Sequence, residues 1–207
     1  MIAILDYGAG NLRSVELAFA RLGVSALSTR DPEAVERASG VILPGVGAFA
    51  DAMQALNASG LIPVIHRVVE AGTPFMGICL GMQALFEESE EGAGVQGLGL
   101  LPGRVCRLPD TGLKIPHMGW NSLHIRRPDS PLMQGLPDEP YVYFVHSFAC
   151  RAAQEADVLA TAEYGVNFHA AVQRDNVMGM QYHPEKSGRV GEQMLRNFAA
   201  LTGEEGR

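Results

Sequence analysis

Apolar positions in the first half of the chain alternate between short continuous runs and runs with helical spacing. Strands are predicted for the continuous runs Ile2–Leu5, Val24–Ser28, Val41–Leu43 and Phe75–Ile78. Helices are predicted where apolar residues recur every three or four positions: Asn11–Leu22, Pro32–Ala38, Phe49–Leu56, Pro63–Glu70 and Gly81–Glu88. This β-α alternation predicts an α/β fold with a mostly parallel central sheet flanked by helices on both faces.

In the second half, strand patterns follow one another with little helix between them. They are Leu98–Leu108, Tyr141–Cys150, Asp157–Ala162, Phe168–Arg174 and Val177–Tyr182. Arg174-Asp175-Asn176 has the composition of a hairpin turn, and Ser187–Leu201 has the spacing of a closing helix. The proline-rich segment Arg126–Pro140 is predicted to be a long surface loop. Residues 1–207 are therefore expected to form one α/β domain with an antiparallel extension.

Composition narrows the classes of function. The chain has 207 residues, of which 47% are hydrophobic and 19% charged, so it can build a substantial core. Its net charge of −7 comes without a basic cluster, which disfavours nucleic acid and anionic membrane as partners. The start of the chain does not resemble a signal peptide, and no run reaches membrane-spanning length, so we expect a cytoplasmic protein.

The cysteines do not indicate a disulfide scaffold or a zinc site. There are three, and none forms a C-x-x-C pair: Cys79, Cys106 and Cys150. Cys106 and Cys150 lie in strand patterns and are predicted to pack in the core. A dinucleotide motif fails at GAGNLR, because Arg13 occupies the third glycine position. Neither a metal nor a cofactor is therefore expected.

Cys79 stands in the motif G-x-C-x-G, Gly77–Gly81, where a predicted strand meets a predicted helix. This is the layout of a nucleophile elbow with cysteine in place of serine. Glycines two positions away relieve crowding at such a corner, and the helix N-terminus favours a thiolate by lowering the pKa of a thiol. The N–H of Leu80 is then placed to donate to an oxyanion. A small buried cysteine at a tight packing point explains the five residues equally well.

A thiol nucleophile requires a base and a group that orients the base. His183 follows the predicted strand Val177–Tyr182, and Glu185 is two residues further on. Extended backbone places residues i and i+2 on one face, and Pro184 is expected to hold His183 and Glu185 extended. On its own, His-x-Glu is more often an ordinary surface pair, but together with the cysteine elbow it predicts a base and its orienting carboxylate.

A third segment, LPGVGAF, follows the predicted strand Val41–Leu43. Ligands of parallel α/β sheets collect at the carboxyl ends of strands, so this loop is expected beside the elbow. Its glycines allow close backbone approach, and Val46 or Gly47 is predicted to supply a second oxyanion N–H. A tight turn that requires glycine explains the same residues.

The motifs GICLGMQ, LPGVGAF and QYHPEKS resemble those of the class I glutamine amidotransferases, which use a Cys-His-Glu triad. DYGAGNL, EEGAGVQGLGL, PHMGWN and YFVHSF are similar to segments of one branch, the glutaminase subunits of imidazole glycerol phosphate synthases. The resemblance spans the chain from Met1 to the closing helix. It implies that the chain hydrolyses glutamine to glutamate and ammonia for histidine biosynthesis.

The resemblance also implies residue roles. Cys79 forms a γ-glutamyl thioester, His183 activates the thiol and protonates the leaving ammonia, and Glu185 orients His183. Gln83 contacts the substrate glutamine, and the Ser147–Phe148 backbone holds its amino-acid end. Phe148 stands where an aromatic residue with a hydroxyl is common, which removes a polar contact there.

The family passes ammonia to a (β/α)₈-barrel cyclase that makes imidazole glycerol phosphate and aminoimidazole carboxamide ribonucleotide. A barrel needs about 250 residues, so we expect it on a separate chain in a heterodimer. The segments Asp6–Asn11 and Pro116–Asn121 together with Lys186 are expected to face it, with Asn11 and Trp120 among the contacts. Trp120 fits a core aromatic nearly as well.

Two other functions stay open on the sequence. One is a glutaminase of the same class with a different acceptor, such as that of pyridoxal phosphate synthesis, which PHMGWN and DYGAGNL disfavour. The other is a silent interaction module on the same fold, which the intact Cys79, His183 and Glu185 disfavour.

Overall fold

The structure is a computed structural model that describes residues 1–92 and 94–204. The strands are β1 Ile2–Leu5, β2 Ala26–Thr29, β3 Gly40–Gly45, β4 Phe75–Cys79, β5 Glu88–Ser89, β6 Gly103–Arg107, β7 His117–Ser122, β8 His124–Ile125, β9 Tyr141–His146, β10 Phe148–Ala152, β11 Val158–Glu163, β12 Asn167–Arg174 and β13 Val177–Met180. The helices are α1 Leu12–Arg21, α2 Pro32–Glu36, α3 Phe49–Ser59, α4 Ile62–Glu70, α5 Leu80–Ala84 and α6 Gly188–Leu201. Short 3₁₀ turns occupy Pro131–Met133, Glu155–Asp157 and Pro184–Lys186.

Eleven strands of the described residues form one sheet, whose main order is β2-β1-β3-β4-β13-β12-β10-β6-β5. Its first five strands are parallel, and β12, β10 and β6 continue it in antiparallel pairs. Strand β11 pairs with β12 and with β8, and β7 and β9 form a separate two-stranded sheet. The predicted parallel sheet with an antiparallel extension is thus confirmed.

The large sheet buries both of its faces. Successive side chains of a strand point to opposite faces, and β1 shows this directly: Ile2 and Ile4 belong to one hydrophobic cluster, Ala3 and Leu5 to the other. Helices α1 and α6 cover the first face, where Phe19 is fully buried. Helices α3, α4 and α5 cover the second. Burying each large apolar side chain contributes roughly 1.5–3 kcal/mol, and the two layers fix the orientation of the strand ends.

The segment Tyr141–Cys150, predicted as one strand, is two strands in different sheets. Strand β9 pairs with β7 in the small sheet, whereas β10 pairs with β6 in the large one. The chain changes sheets at Ser147. Strand β7 was not predicted at all, because the glycine and polar residues of PHMGWN hide its alternation.

The predicted strand Leu98–Leu108 is also too long, since only Gly103–Arg107 pairs as a strand. The N–H of Leu98 donates to the carbonyl of Ala84, and those of Leu100 and Leu101 donate to that of Leu85. These groups satisfy the end of α5 instead of a neighbouring strand. Helix α5 accordingly stops at Ala84, earlier than the predicted Glu88.

Two local predictions about turns have different outcomes. The hairpin is confirmed, since Arg174 pairs with Val177 and Asp175 adopts a positive φ of 50°. The segment 126–140 is more than a surface loop, because its 3₁₀ turn buries Leu132 completely.

No helix in the described ranges is long and apolar enough to cross a membrane. The same residues contain no group of three or more His, Cys, Asp and Glu side chains placed to hold a metal ion. Cys150 is fully buried as predicted, whereas Cys106 is only partly buried. Burial raises the pKa of the Cys150 thiol well above its usual range.

Candidate active site

The corner between β4 and α5 is a strained turn centred on Cys79. Cys79 has φ 55° and ψ −111°, a conformation that residues with side chains rarely adopt. A Cβ on Gly77 would lie 2.5 Å from the carbonyl oxygen of Gly81, and a Cβ on Gly81 only 1.8 Å from that of Leu43. The glycines are therefore required by backbone packing, as the elbow interpretation predicts.

The sheet brings three separate segments to one edge. Strand β3 pairs with β4 so that Gly45 lies opposite Cys79, and β13 pairs with β4 so that Met180 lies opposite Ile78. Because all three strands run in parallel, the residues after each of them meet at the carboxyl end of the sheet. These residues are the Val46–Gly47 loop, the first turn of α5, and the segment from Gln181 to Glu185.

His183 and Glu185 form a buried pair. Nδ1 of His183 lies 2.9 Å from Oε1 of Glu185, and the two side chains are 3% and 1% exposed. The expectation that both residues are extended is wrong for Glu185, which lies in the 3₁₀ turn Pro184–Lys186. The turn is closed by Ser187, whose hydroxyl donates to the carbonyl of His183 at 2.6 Å. This turn, and not the predicted extended backbone, brings the Glu185 carboxylate to the His183 ring.

The charges around His183 favour its protonated form. Burial lowers the pKa of His183, but the neighbouring Cys79 sulfur and the hydrogen-bonded carboxylate of Glu185 outweigh burial and raise this pKa to about 9. Nε2 of His183 and Oε2 of Glu185 have no hydrogen-bond partner among the described residues. One ring nitrogen is thus held by the carboxylate, and the other faces the cavity that Cys79 lines.

Replacing Glu185 by glutamine is expected to change how stability depends on pH. The folded-state pKa of His183, about 9, lies above the ordinary value of 6.5, so protonated His183 stabilises the fold below pH 6.5 and this stabilisation is lost as pH rises through 9. In Glu185→Gln the charge that helps to raise this pKa is gone. The loss in free energy of unfolding should be larger at about pH 6 than at about pH 9.5 by roughly 1 kcal/mol. Urea unfolding at the two pH values measures the difference.

Glu155→Gln is the matched control for this substitution. Glu155 also lies beside a histidine, His169, but at 3.9 Å and with an 82% exposed side chain. Solvent screens that pair, so no comparable pH dependence is expected. A loss in Glu185→Gln that stayed constant between the two pH values would contradict the buried ion pair.

A cavity of about 280 Å³ opens at this edge of the sheet. Eight of the residues predicted for the site line it: Val46, Gly47, Cys79, Leu80, Gln83, Ser147, Phe148 and His183. Glu185 stands behind His183, outside the lining. The volume is near the lower end for small-molecule sites and suits a ligand of amino-acid size.

The loop after β3 is fixed by contacts from the start of the chain. The hydroxyl of Tyr7 donates to the carbonyl of Pro44 at 2.8 Å, and burial raises the pKa of Tyr7 to about 12, so it remains a neutral donor. Gly47 has a φ of +96° without side-chain crowding, and Val46 is 45% exposed. Val46 and Gly47 of this loop and Leu80, the first residue of α5, line the cavity beside Cys79.

Gln83 and Phe148 are linked inside the protein. Nε2 of Gln83 donates to the carbonyl of Phe148 at 3.0 Å, and Nδ1 of His146 lies 2.9 Å from the same oxygen. The carbonyl of Ser147 accepts from the N–H of Leu108 at 2.9 Å. The Phe148 carbonyl thus has two internal partners, and Oε1 of Gln83 accepts nothing from the described residues.

The sequence alone does not single out Glu91 or Gln181. Glu91 is the one carboxylate that lines the cavity within the described residues, and it accepts from the N–H of Phe49 at 2.9 Å. It belongs to EEGAGVQGLGL, a motif that gives no reason to choose one residue over another. Gln181 is fully buried, and its Nε2 lies 3.8 Å from the sulfur of Cys79. The sequence feature that could have identified Gln181 is its position two residues before His183, at the end of a strand beside β4.

Of the three residues predicted for a partner interface, Trp120 and Lys186 lie beside Tyr143, and Asn11 lies near the His183–Glu185 pair. Trp120 is 57% exposed on β7, which excludes the core alternative, and its ring lies 6.1 Å from that of Tyr143. The amine of Lys186 lies 5.9 Å from the Tyr143 ring. Asn11 lines a small cavity together with His183 and Glu185, and Glu185 immediately precedes Lys186 in the sequence.

Comparison with known proteins identifies the class. The chain matches the family Glutamine amidotransferase class-I over residues 3–201. Its fold resembles a crystal structure of a glutamine amidotransferase, with TM-score 0.76 and 23% identity over 98% of both chains. It also resembles a chain in the structure of PurLQS from Thermotoga maritima, with TM-score 0.72 and 21% identity over 96% of this chain and 97% of that one. The chain belongs to the class I glutamine amidotransferase family.

Relatives with higher identity define the branch. The imidazole glycerol phosphate synthase subunit HisH of Syntrophotalea carbinolica is 53% identical over 97% of this chain and 100% of its own length. That of Desulfitobacterium hafniense (strain DCB-2) is 55% identical over 99% of this chain and 96% of its own length. Within the class I family, the chain belongs to the HisH subunits, so it is a glutaminase subunit of imidazole glycerol phosphate synthase in histidine biosynthesis.

Proposed function

We propose that Cys79, His183 and Glu185 carry the hydrolysis of glutamine in this subunit. The observation that supports this most directly is the buried His183–Glu185 pair, with Nδ1 held at 2.9 Å and Nε2 without a partner beside the cavity of Cys79. A histidine oriented in this way has one fixed tautomer when neutral, and it places its other nitrogen toward the nucleophile.

In this proposal the reaction starts from the Cys79 thiolate beside a protonated His183, whose raised pKa keeps the ring charged near neutral pH. The thiolate attacks the side-chain carbonyl carbon of glutamine, and the imidazolium gives its proton to the departing nitrogen, which leaves as ammonia. His183, now neutral, takes a proton from a water molecule that attacks the γ-glutamyl thioester and releases glutamate. Glu185 stabilises the imidazolium before the first proton transfer and after the second.

Backbone N–H groups stabilise the tetrahedral intermediates in this proposal. Leu80 begins α5, and the first N–H groups of a helix have no intrahelical acceptor. The second donor comes from Val46 or Gly47, on the loop that Tyr7 and Pro44 hold beside the elbow. Donors placed in advance around a developing negative charge contribute several kcal/mol of transition-state stabilisation, about 2.7–4 each in a measured case.

The cavity walls assign parts of the substrate. Glu91 offers a carboxylate for the α-ammonium group of glutamine, since only one of its oxygens accepts a hydrogen bond from the described residues. Gln83 offers its free Oε1, because its N–H groups point to Phe148 and Gln181. The carbonyl of Phe148 is already occupied, so the backbone of Ser147 and Phe148 contributes to binding through its remaining N–H groups.

The partner in this proposal is a (β/α)₈-barrel cyclase on a separate chain, which receives ammonia in a heterodimer. Trp120, Tyr143 and Lys186 form an exposed aromatic and cationic group of the kind that anchors protein interfaces. Asn11 lines a small cavity together with Glu185. We also propose that residues 1–207 form one domain and that the enzyme works in the cytoplasm, without a metal, a cofactor, nucleic acid or a membrane as partner.

The experiment that tests this function measures ammonia released from glutamine with and without the cyclase of the same organism. We expect the complex with a cyclase ligand to release ammonia faster than the free glutaminase, because hydrolysis without an acceptor wastes glutamine. Trp120→Ala should weaken cyclase binding by about tenfold or more, as expected for a central aromatic anchor. Calorimetric titration of the glutaminase with the cyclase measures that affinity.

Leu27→Ala is the matched control for the interface. Leu27 is also an exposed apolar residue, 53% accessible on the edge strand β2, and its loss should leave cyclase affinity unchanged. Equal rates of ammonia release with and without the cyclase would contradict coupled turnover. Equal affinities of Trp120→Ala and wild type would remove Trp120 from the interface.

A further inference from the structure

We infer that Gln181 is a positioning residue for the Cys79 sulfur and favours its thiolate form. Gln181 follows β13, beside the elbow at the end of β4, and its side chain is fully buried. Its Nε2 lies 3.8 Å from the sulfur, and its Oε1 lies 3.1 Å from Nε2 of Gln83. The inference depends on the proposed function only in taking Cys79 as the nucleophile.

The orientation of both side-chain amides follows from one backbone carbonyl. The Phe148 carbonyl can only accept, so the atom of Gln83 that lies 3.0 Å from it is the donor nitrogen. That nitrogen also meets Gln181, which must therefore present its oxygen to Gln83 and its nitrogen to the sulfur. The chain of hydrogen bonds ends with an N–H donor aimed at Cys79.

An N–H donor at this position stabilises the thiolate of Cys79 more than its neutral thiol. A thiolate accepts a charge-assisted hydrogen bond from Gln181, whereas a neutral thiol gains little from that donor. The opposite preference comes from the carbonyl of Val145, 4.0 Å from the sulfur, which accepts from the S–H of the neutral form. Because Gln181 is neutral, it adds its stabilisation without competing with His183 for a proton.

Among the described residues around the sulfur, only His183 titrates in the neutral range, because burial lowers the pKa of His146, the other histidine of the cavity, to about 3. Burial raises the pKa of Tyr7 to about 12 and that of Cys150 well above its usual range, so neither changes charge near pH 7. Glu185 acts on the sulfur through His183. A change in the pH profile of Cys79 when Gln181 alone is altered therefore reports the amide itself.

The test follows alkylation of Cys79 by iodoacetamide against pH, read from the Cys79 peptide by mass spectrometry. Gln181→Met keeps the length of the side chain and removes the donor. We expect the midpoint of its profile to lie higher than that of wild type by about one pH unit. We also expect glutaminase kcat in the cyclase complex to fall about tenfold, with KM changed less than about twofold. Gln181→Glu replaces the donor by an acceptor of the same shape and should move the midpoint further.

Gln173→Met is the matched control, because Gln173 lies on β12 and bonds Ser130 and Asp175 away from the site. It is expected to keep the wild-type profile and kcat even if it lowers stability. An unchanged midpoint in folded Gln181→Met would overturn the inference. Failure of the proposed function has a different signature, namely wild-type complex that releases no ammonia, and it leaves the alkylation profile readable.

Discussion

Cys79→Ala is expected to lower ammonia release by more than about a thousandfold while cyclase affinity stays within about twofold of wild type. The sulfur is the one nucleophile at the elbow, and no thioester can form without it. Alanine fits the corner without new atoms, and the buried Cys79 side chain lines a cavity that the exposed Trp120 does not line. A coupled assay for ammonia and a titration with the cyclase measure the two effects.

Cys106→Ala is the control for this substitution. Cys106 is a free, partly buried cysteine on β6, and it does not line the cavity. Its removal should leave turnover near the wild-type rate. If Cys79→Ala retained a substantial fraction of the wild-type rate, the thioester mechanism would be wrong.

Gly81→Ala is expected to destabilise the fold by about 3 kcal/mol or more, the upper range for an overpacked core position. The added Cβ would lie 1.8 Å from the carbonyl oxygen of Leu43 on β3, and both the elbow and that strand are backbone that cannot rotate away. Strand β3 and helix α5 would have to separate, which opens the sheet edge that holds the site. Urea unfolding of wild type and variant measures the loss.

Gly60→Ala is the control that separates the steric crowding of an added Cβ from the cost of a positive φ. Gly60 ends α3 with φ +71° and has nothing within 4 Å of an added Cβ. Its cost should be about 1 kcal/mol, that of a left-handed conformation with a side chain. Similar losses in the two variants would show that close approach at Gly81 is not what requires glycine there.

The sequence was sufficient to predict the parallel half of the fold and the meeting of Cys79, His183 and Glu185 at one sheet edge, because both depend on short-range signals. Continuous apolar runs predict buried strands, and a cysteine between two glycines predicts the elbow. The prediction that the backbone from His183 to Glu185 is extended was wrong, since proline permits a 3₁₀ turn as well as an extended chain. The close approach of α5 to β3, which explains Gly81, depends on a partner 38 positions away in sequence and cannot be found from local pattern.

Gln181 and Glu91 could be identified only from the fold, because their contacts also join residues that are far apart in sequence. Gln181 meets Gln83 and Cys79 across about 100 positions of sequence, and only the pairing of β13 with β4 brings them together. Glu91 approaches Phe49 across 42 positions. Trp120 could be placed outside the core only after β7 and β9 formed a separate sheet.

The change of sheet at Ser147 means that the cavity lies between the large sheet and the small one. Cys79 ends a strand of the large sheet and His183 follows another, whereas Val145 and His146 end a strand of the small sheet. The width available to an amino acid is accordingly the gap between two sheets, and it is not a dimension of either sheet alone.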